Sequence, residues 1–131
     1  MKLLFLTPAP PFPPLQGTAI RNWGLVSSLA AQHRLSLLTF AHRPDEIAPQ
    51  LRDCCATVTI ANPPARTPAQ RLATLVSSSR ADLADRLASA DFSARLRQLL
   101  ESESFDVVHV EGLELAPYLH QIAAQRGAAS T

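Results

Sequence analysis

Near its end the chain carries Asp106-Val107-Val108-His109-Val110-Glu111-Gly112, an apolar run that closes in a His-x-Glu pattern. Residues two apart in an extended strand project to the same face. His109 and Glu111 would then stand side by side, an imidazole that titrates near neutrality next to a carboxylate, and such a pair suits general acid–base work. Ordinary readings compete with this one. A single histidine late in a buried strand is commonly a hydrogen-bonded core residue, and a glutamate at a strand end is commonly solvated or caps the next helix. What favours chemistry is position, because ligands of open parallel sheets sit beyond the carboxyl ends of the strands.

A second segment with chemical potential is Pro8 to Gly17, which holds five prolines and leads into a helical pattern. A helix that starts after Gly17 offers free N–H groups and partial positive charge to a phosphate. The spacing is neither G-x-G-x-x-G nor a Walker A sequence. Gly17 therefore also fits a tight strand-to-helix turn, the reading that residue physics favours on its own. Pro10, Pro11, Pro13 and Pro14 would suit a polyproline II ligand, but the segment is tied to an apolar strand on one side and a helix on the other. Arg21, in the first turns of that helix, would serve an anionic acceptor or phosphate; an exposed helical arginine is the alternative.

Alternating strands and helices must position these groups. Leu3 to Thr7, fully apolar and stopped by Pro8, reads as a strand buried on both faces. Thr18 is the expected cap of a helix to about Gln32, with Trp23, Val26, Leu29 and Ala30 on one arc and Arg21, Ser28 and Gln32 opposite. Arg34–Phe40 and Thr57–Ile60 read as the second and third strands. After a break from Asn62 to Arg66, the run Thr67-Pro68-Ala69-Gln70 forms a capping box. Leu72, Leu75 and Val76 mark one helix, and Leu83 and Leu87 a second. Asp91 is the expected cap of a third, with Phe92, Leu96, Leu99 and Leu100 at helical spacing to about Glu103. Asp106–Val110 is the fourth strand. A last helix over Glu114–Arg126 carries Leu115, Leu119, Ile122 and Ala123 on one face, and the sequence from Gly127 onward is small and featureless. The expected fold is α/β: a Rossmann-like, doubly wound, mostly parallel sheet of about four strands flanked by helices.

Composition narrows the function classes. With 131 residues, 47% of them hydrophobic and 18% charged, the chain has the means to fold as one domain. A net charge of +1 gives no field to gather nucleic acid. Cys54 and Cys55 are adjacent, a poor geometry for a disulfide, and read as reduced thiols of a cytoplasmic protein. With His33, His42, His109 and His120 they make no zinc spacing, so no metal is expected. Leu3 to Leu6 is too short for a signal peptide, and nothing approaches the ~20 apolar residues of a membrane span.

Four segments taken in order, MKLLFLTPAPPFPPLQG, IRNWGLVSSLA, HRLSLLTF and FDVVHVEGLELAPYL, resemble the N-terminal domain of glycosyltransferase family four, also called group 1. The likeness is closest to bacterial sugar transferases of polysaccharide biosynthesis and is densest over residues 1–40 and 105–119. It implies a GT-B enzyme in which two Rossmann-like domains face each other, and this chain, residues 1–131, is a single partial acceptor-side domain. The implied reaction is retaining transfer of a sugar from a nucleotide-sugar donor to a glycan or lipid-linked acceptor, with no further cofactor. By that likeness Gly17 and Thr18 lie toward the donor diphosphate, Gln16, Arg21 and Gly112 toward substrate, and His109 and Glu111 at the catalytic position.

Two residues depart from the family pattern. Where many members carry a Gly-Gly pair after the first strand, this chain has Gln16-Gly17, and where many carry His-x-His after the fourth, it has Glu111 in place of the second histidine. Glu111 would then either help an oxocarbenium-like transition state by its charge or orient the acceptor. The family's donor-binding elements belong to a second domain outside these residues, so the isolated chain is expected to be inactive. The implied location is cytoplasmic, with work at the inner face of a membrane as an option. Two other classes fit the same residues: a non-catalytic α/β binding module, and a small flavodoxin-like nucleotide-binding domain with micromolar affinity, roughly −8 kcal/mol. The missing glycine fingerprint counts against the latter.

Overall fold

Leu3 to Thr7 are buried without a break, which requires an apolar environment on both faces of the strand and hence a central place in a covered sheet. The computed structural model, which describes residues 1–64, 68–69 and 87–129, gives that place to β1 (Lys2–Thr7). On one side it pairs with β2 (Arg34–Phe40), which pairs in turn with β3 (Thr57–Ala61), and on the other side with β4 (Val107–Val110). All pairings are parallel and the order is β3-β2-β1-β4.

The alternation of side chains divides the core into two layers. Leu3, Phe5, Leu35 and Leu37 meet Val26 of α1 (Gly17–Gln32) and Leu51 of α2 (Pro49–Cys54). Leu4, Leu6, Leu38 and Phe40 meet Phe92 and Leu96 of α3 (Ala90–Ser102) and Tyr118 and Ile122 of α4 (Pro117–Ala129). Phe92 and Leu96 are fully buried, and burial of one such side chain is worth about 1.5–3 kcal/mol. The sheet is thus Rossmann-like and doubly wound. From β1 the chain steps outward through β2 to β3 and then returns to the far side of β1 as β4, so the loops after β1 and β4 part at the point where strand order reverses.

At the amino edge of the sheet, exposed charges tie the strand starts to the end of α3. Glu103 lies 3.2 Å from the Lys2 ammonium and 3.4 Å from the Arg34 guanidinium. The Lys2 amide donates to the Asp106 carboxylate at 2.7 Å, and Arg126 donates to the carbonyls of Phe105 and Asp106.

Several local expectations are corrected. The residue that precedes α1 is Gln16, extended at φ −127°, whose carbonyl accepts from the Ile20 amide; Thr18 lies inside the first turn and no side chain caps the helix. Ser89, and not Asp91, caps α3, because its hydroxyl accepts from the Phe92 amide at 3.2 Å while Asp91 accepts from the Asn62 amide and pairs with Arg95. The six-residue α2 was not expected; it opens on Pro49, and Leu51 is its buried anchor. The last helix is preceded by a separate 3₁₀ turn, Leu113–Leu115, and runs through Gly127 to Ala129. That turn shifts the helical phase, so Tyr118 is buried and Leu119 is 51% exposed. The helices expected from Thr67 and around Leu72, Leu75, Val76 and Leu83 lie outside the described residues.

Tyr118 fixes the start of α3 to α4. Its hydroxyl donates to the Leu87 carbonyl at 2.6 Å and accepts from the Ser89 amide at 3.0 Å, and its ring packs on Phe92. Burial pushes the phenol pKa above its ordinary value. Cys54 and Cys55 are both free thiols, 3.8 Å apart at sulfur, and burial, with Cys54 alongside, pushes the Cys55 thiol up to about 12. No helix among the described residues is long and apolar enough to cross a membrane.

Candidate functional site

The parallel register sets Phe5 of β1 opposite His109 of β4 and Leu6 opposite Val110. The Glu111 amide continues the ladder by donating to the Leu6 carbonyl at 3.0 Å, which holds Glu111 at the carboxyl edge on the same face as His109. The imidazole stacks on the Phe5 ring with centroids 4.4 Å apart and an interplanar angle of 17°. Its Nε2 lies 3.3 Å from a Glu111 carboxylate oxygen. The other oxygen of that carboxylate is held by the guanidinium of Arg21, which reaches in from α1.

Glu111 is therefore a buried carboxylate, with its residue only 9% exposed, between one exposed cation and one half-exposed imidazole. Neither ordinary reading of Glu111 describes it, since it is neither solvated nor a helix cap. Desolvation, and next the positive charge of Arg21, hold the His109 pKa below its ordinary 6.5. A free carboxylate at 3.3 Å would oppose that fall, but the Glu111 charge is already matched by Arg21. At neutral pH the imidazole is uncharged, and with its proton on Nε2 it donates to Glu111.

Gly112 turns the chain away from the strand with φ +95°, the one positive φ among the described residues. A side chain there would meet the movable end of the Glu114 side chain and touch Pro8 at ordinary contact distance, so it is the backbone angle, more than space, that requires glycine at this turn. Gly17 differs. It has open space around it and no positive φ, so the strand-to-helix turn does not need a glycine at that position.

Arg21, Glu111 and Gly112 join Val110, Leu113, Ala116 and Leu119 in lining an open pocket of about 390 Å³. Arg21, Glu111 and Gly112 are all residues that the sequence offers for a site; the apolar wall from the 3₁₀ turn and α4 is not legible there, because the turn shifts the helical phase. Phe5, the floor beneath His109, was missed as well, though the pattern of two parallel strands would have offered it as a cross-strand neighbour. Gln16, Gly17 and Thr18 are exposed at the start of α1 and do not line this pocket. Gln16, expected toward substrate, and Gly17 and Thr18, expected toward the donor diphosphate, thus stand apart from the residues that line it. Phe12 of the proline loop packs edge-on against Trp23 of α1, ring centroids 4.8 Å apart. Asn22, beside Arg21 on the helix, is buried, and its side-chain carbonyl makes no hydrogen bond among the described residues.

Charge, hydrogen bonding and shape at this edge suit recognition of a polar or anionic group by Arg21, with a carboxylate and a neutral imidazole alongside to exchange a proton. Comparison of the chain with models of protein families, with curated proteins and with solved structures finds no match.

Proposed function

We propose that this chain is the acceptor-side domain of a retaining GT-B glycosyltransferase, which holds a glycan or lipid-linked acceptor while a second Rossmann-like domain presents a nucleotide sugar. One observation carries the reading most: Arg21 from α1 and Glu111 and Gly112 from the end of β4 line one pocket at the carboxyl edge, and His109 contacts that pocket's Glu111. The resemblance of residues 1–40 and 105–119 to glycosyltransferase family four supports it from the sequence side. In this reading Glu111 orients an acceptor hydroxyl or stabilises developing positive charge on the transferred sugar, and His109 supports it. The work is cytoplasmic, at the inner face of a membrane when the acceptor is lipid-linked.

The test is a ligand screen by NMR on the chain. Acceptor-type saccharides are expected to move the His109, Glu111 and Gly112 signals, and the chain is expected to show no sugar transfer by itself. Turnover with a nucleotide sugar would end the acceptor-half reading, and micromolar binding of a free nucleotide at Gly17 would replace it with a nucleotide-binding domain.

A second reading, a non-catalytic binding module, is favoured by the exposed apolar side chains at this same edge. Leu15 is 81% exposed and Leu113 79%, with Ile20 and Leu119 also exposed, and Leu113 and Leu119 share the pocket wall, apolar surface of the kind that protein partners cover. Saccharides that leave the pocket signals unmoved, with a protein partner that shifts Leu15 and Leu113, would establish it.

A further inference from the structure

Glu111 occupies Arg21 in the manner of an external oxyanion. A guanidinium offers the same fork to a carboxylate as to a phosphate, and this one is 62% exposed at the rim of an open pocket. The carboxylate that holds it has a second partner waiting, His109 Nε2 at 3.3 Å. We propose that Arg21 is an exchangeable clamp: a phosphate-class dianion entering the pocket takes the guanidinium from Glu111, and the released carboxylate holds a protonated His109, so that anion and proton bind together.

The balance is simple. The Arg21–Glu111 contact breaks, an Arg21–oxyanion contact forms, and one proton from solvent goes to Nδ1 of His109 while Nε2 keeps its proton on Glu111. The charged groups around the imidazole are Arg21 from α1 and Glu111 from the end of β4; β1 contributes the uncharged Phe5 ring, and the Glu114 carboxylate lies against Gly112 on the turn. Removing Arg21 from this set leaves His109 facing an unmatched carboxylate, which favours the imidazolium. Linkage then makes the anion bind more tightly as pH falls. The proposal does not rest on glycosyl transfer: a binding module would exchange Glu111 for an anion in the same way, and a transferase domain would still hold an acceptor if Arg21 never left Glu111.

The experiment uses sulfate, a dianion that does not titrate in the working range, and follows the His109 ring signals of the whole chain against pH in sulfate and in chloride at equal ionic strength. Among the described contacts His109 is the histidine paired with Glu111, so His33, His42 and His120 serve as internal references. Sulfate is expected to raise the His109 midpoint and leave the references unmoved, and Arg21→Gln is expected to abolish that response. Glu111→Gln removes the competitor, so sulfate should bind roughly fivefold more tightly, while the sulfate-induced rise at His109 shrinks. An equal response in Arg21→Gln, or sulfate affinity unchanged in Glu111→Gln, overturns the clamp. Hexyl and methyl phosphate then divide the sources. Tighter binding of the hexyl ester assigns the phosphate to a ligand whose apolar body lies on Leu113 and Leu119, equal binding assigns it to a free phosphate, and failure of both to engage Arg21 counts against the proposal.

Discussion

The two edges of the sheet use charge in opposite ways. At the amino edge Glu103 is shared by Lys2 and Arg34, and the Asp106 carboxylate accepts from the Lys2 amide, so the loss of any one partner leaves others in place. At the carboxyl edge a single cation, Arg21, neutralises a buried carboxylate beside an open pocket. Exposed, redundant pairs contribute little and are screened by solvent. A buried acid with one removable partner is a position where a ligand gains from replacing that partner. Charge alone therefore does not mark a site; the number of partners and the burial of the acid do.

Substitutions at the two edges should separate accordingly. The largest effect is expected from Gly112→Ala, where an L side chain is strained by the positive φ of the turn; a loss of about 2 kcal/mol should appear as a lower urea midpoint with an unchanged slope. Arg21→Ala comes next. It strands the buried Glu111 carboxylate and should cost about 1–2 kcal/mol, toward the low end of the unsatisfied-charge range because the guanidinium is largely exposed. A loss no greater than that of an amino-edge variant would erase the contrast between the edges.

The pH dependence sharpens the comparison further. Because His109 is held below its ordinary 6.5, the unfolded chain takes up its proton first as pH falls. Stability from this residue is complete above about 6.5 and declines as pH drops through that value toward the folded-state pKa. Unfolding midpoints at pH 8 and pH 5.5 should therefore differ less in His109→Gln than in the parent. The smallest effect is expected for Arg34→Ala, within about 0.5 kcal/mol, since Glu103 keeps Lys2 and both cations stand in solvent; thermal melts at low and high salt would measure it.

Much of the scaffold was legible because it rests on periodicity. The apolar run of β1, the alternation in β2, and the Trp23–Val26–Leu29 arc of α1 each follow from one local pattern, and the side-by-side placement of His109 and Glu111 follows from the strand repeat alone. Helix starts were less so. Thr18 and Asp91 carry good capping side chains, yet Gln16 precedes α1 without a side-chain cap and Ser89 claims α3, since Asp91 is drawn to the Asn62 amide by the packing of β3 against α3. The Arg21–Glu111 pair was not legible as a pair. It joins a helix to a strand that the chain reaches only after crossing the other face of the sheet, and no local spacing encodes that meeting. Gly112 was singled out, but for contact with substrate rather than for the turn that its φ now explains.

The packing of Phe12 on Trp23 has an optical consequence. Trp23 is the only tryptophan in the chain, half-buried where the proline loop lies on α1 and two residues along the helix from Arg21. Its emission should follow how closely that loop sits on the helix, so the protein carries its own fluorophore at the edge where ligands are expected. Blue or red shifts on titration with saccharides, sulfate or a partner would register there without any added label.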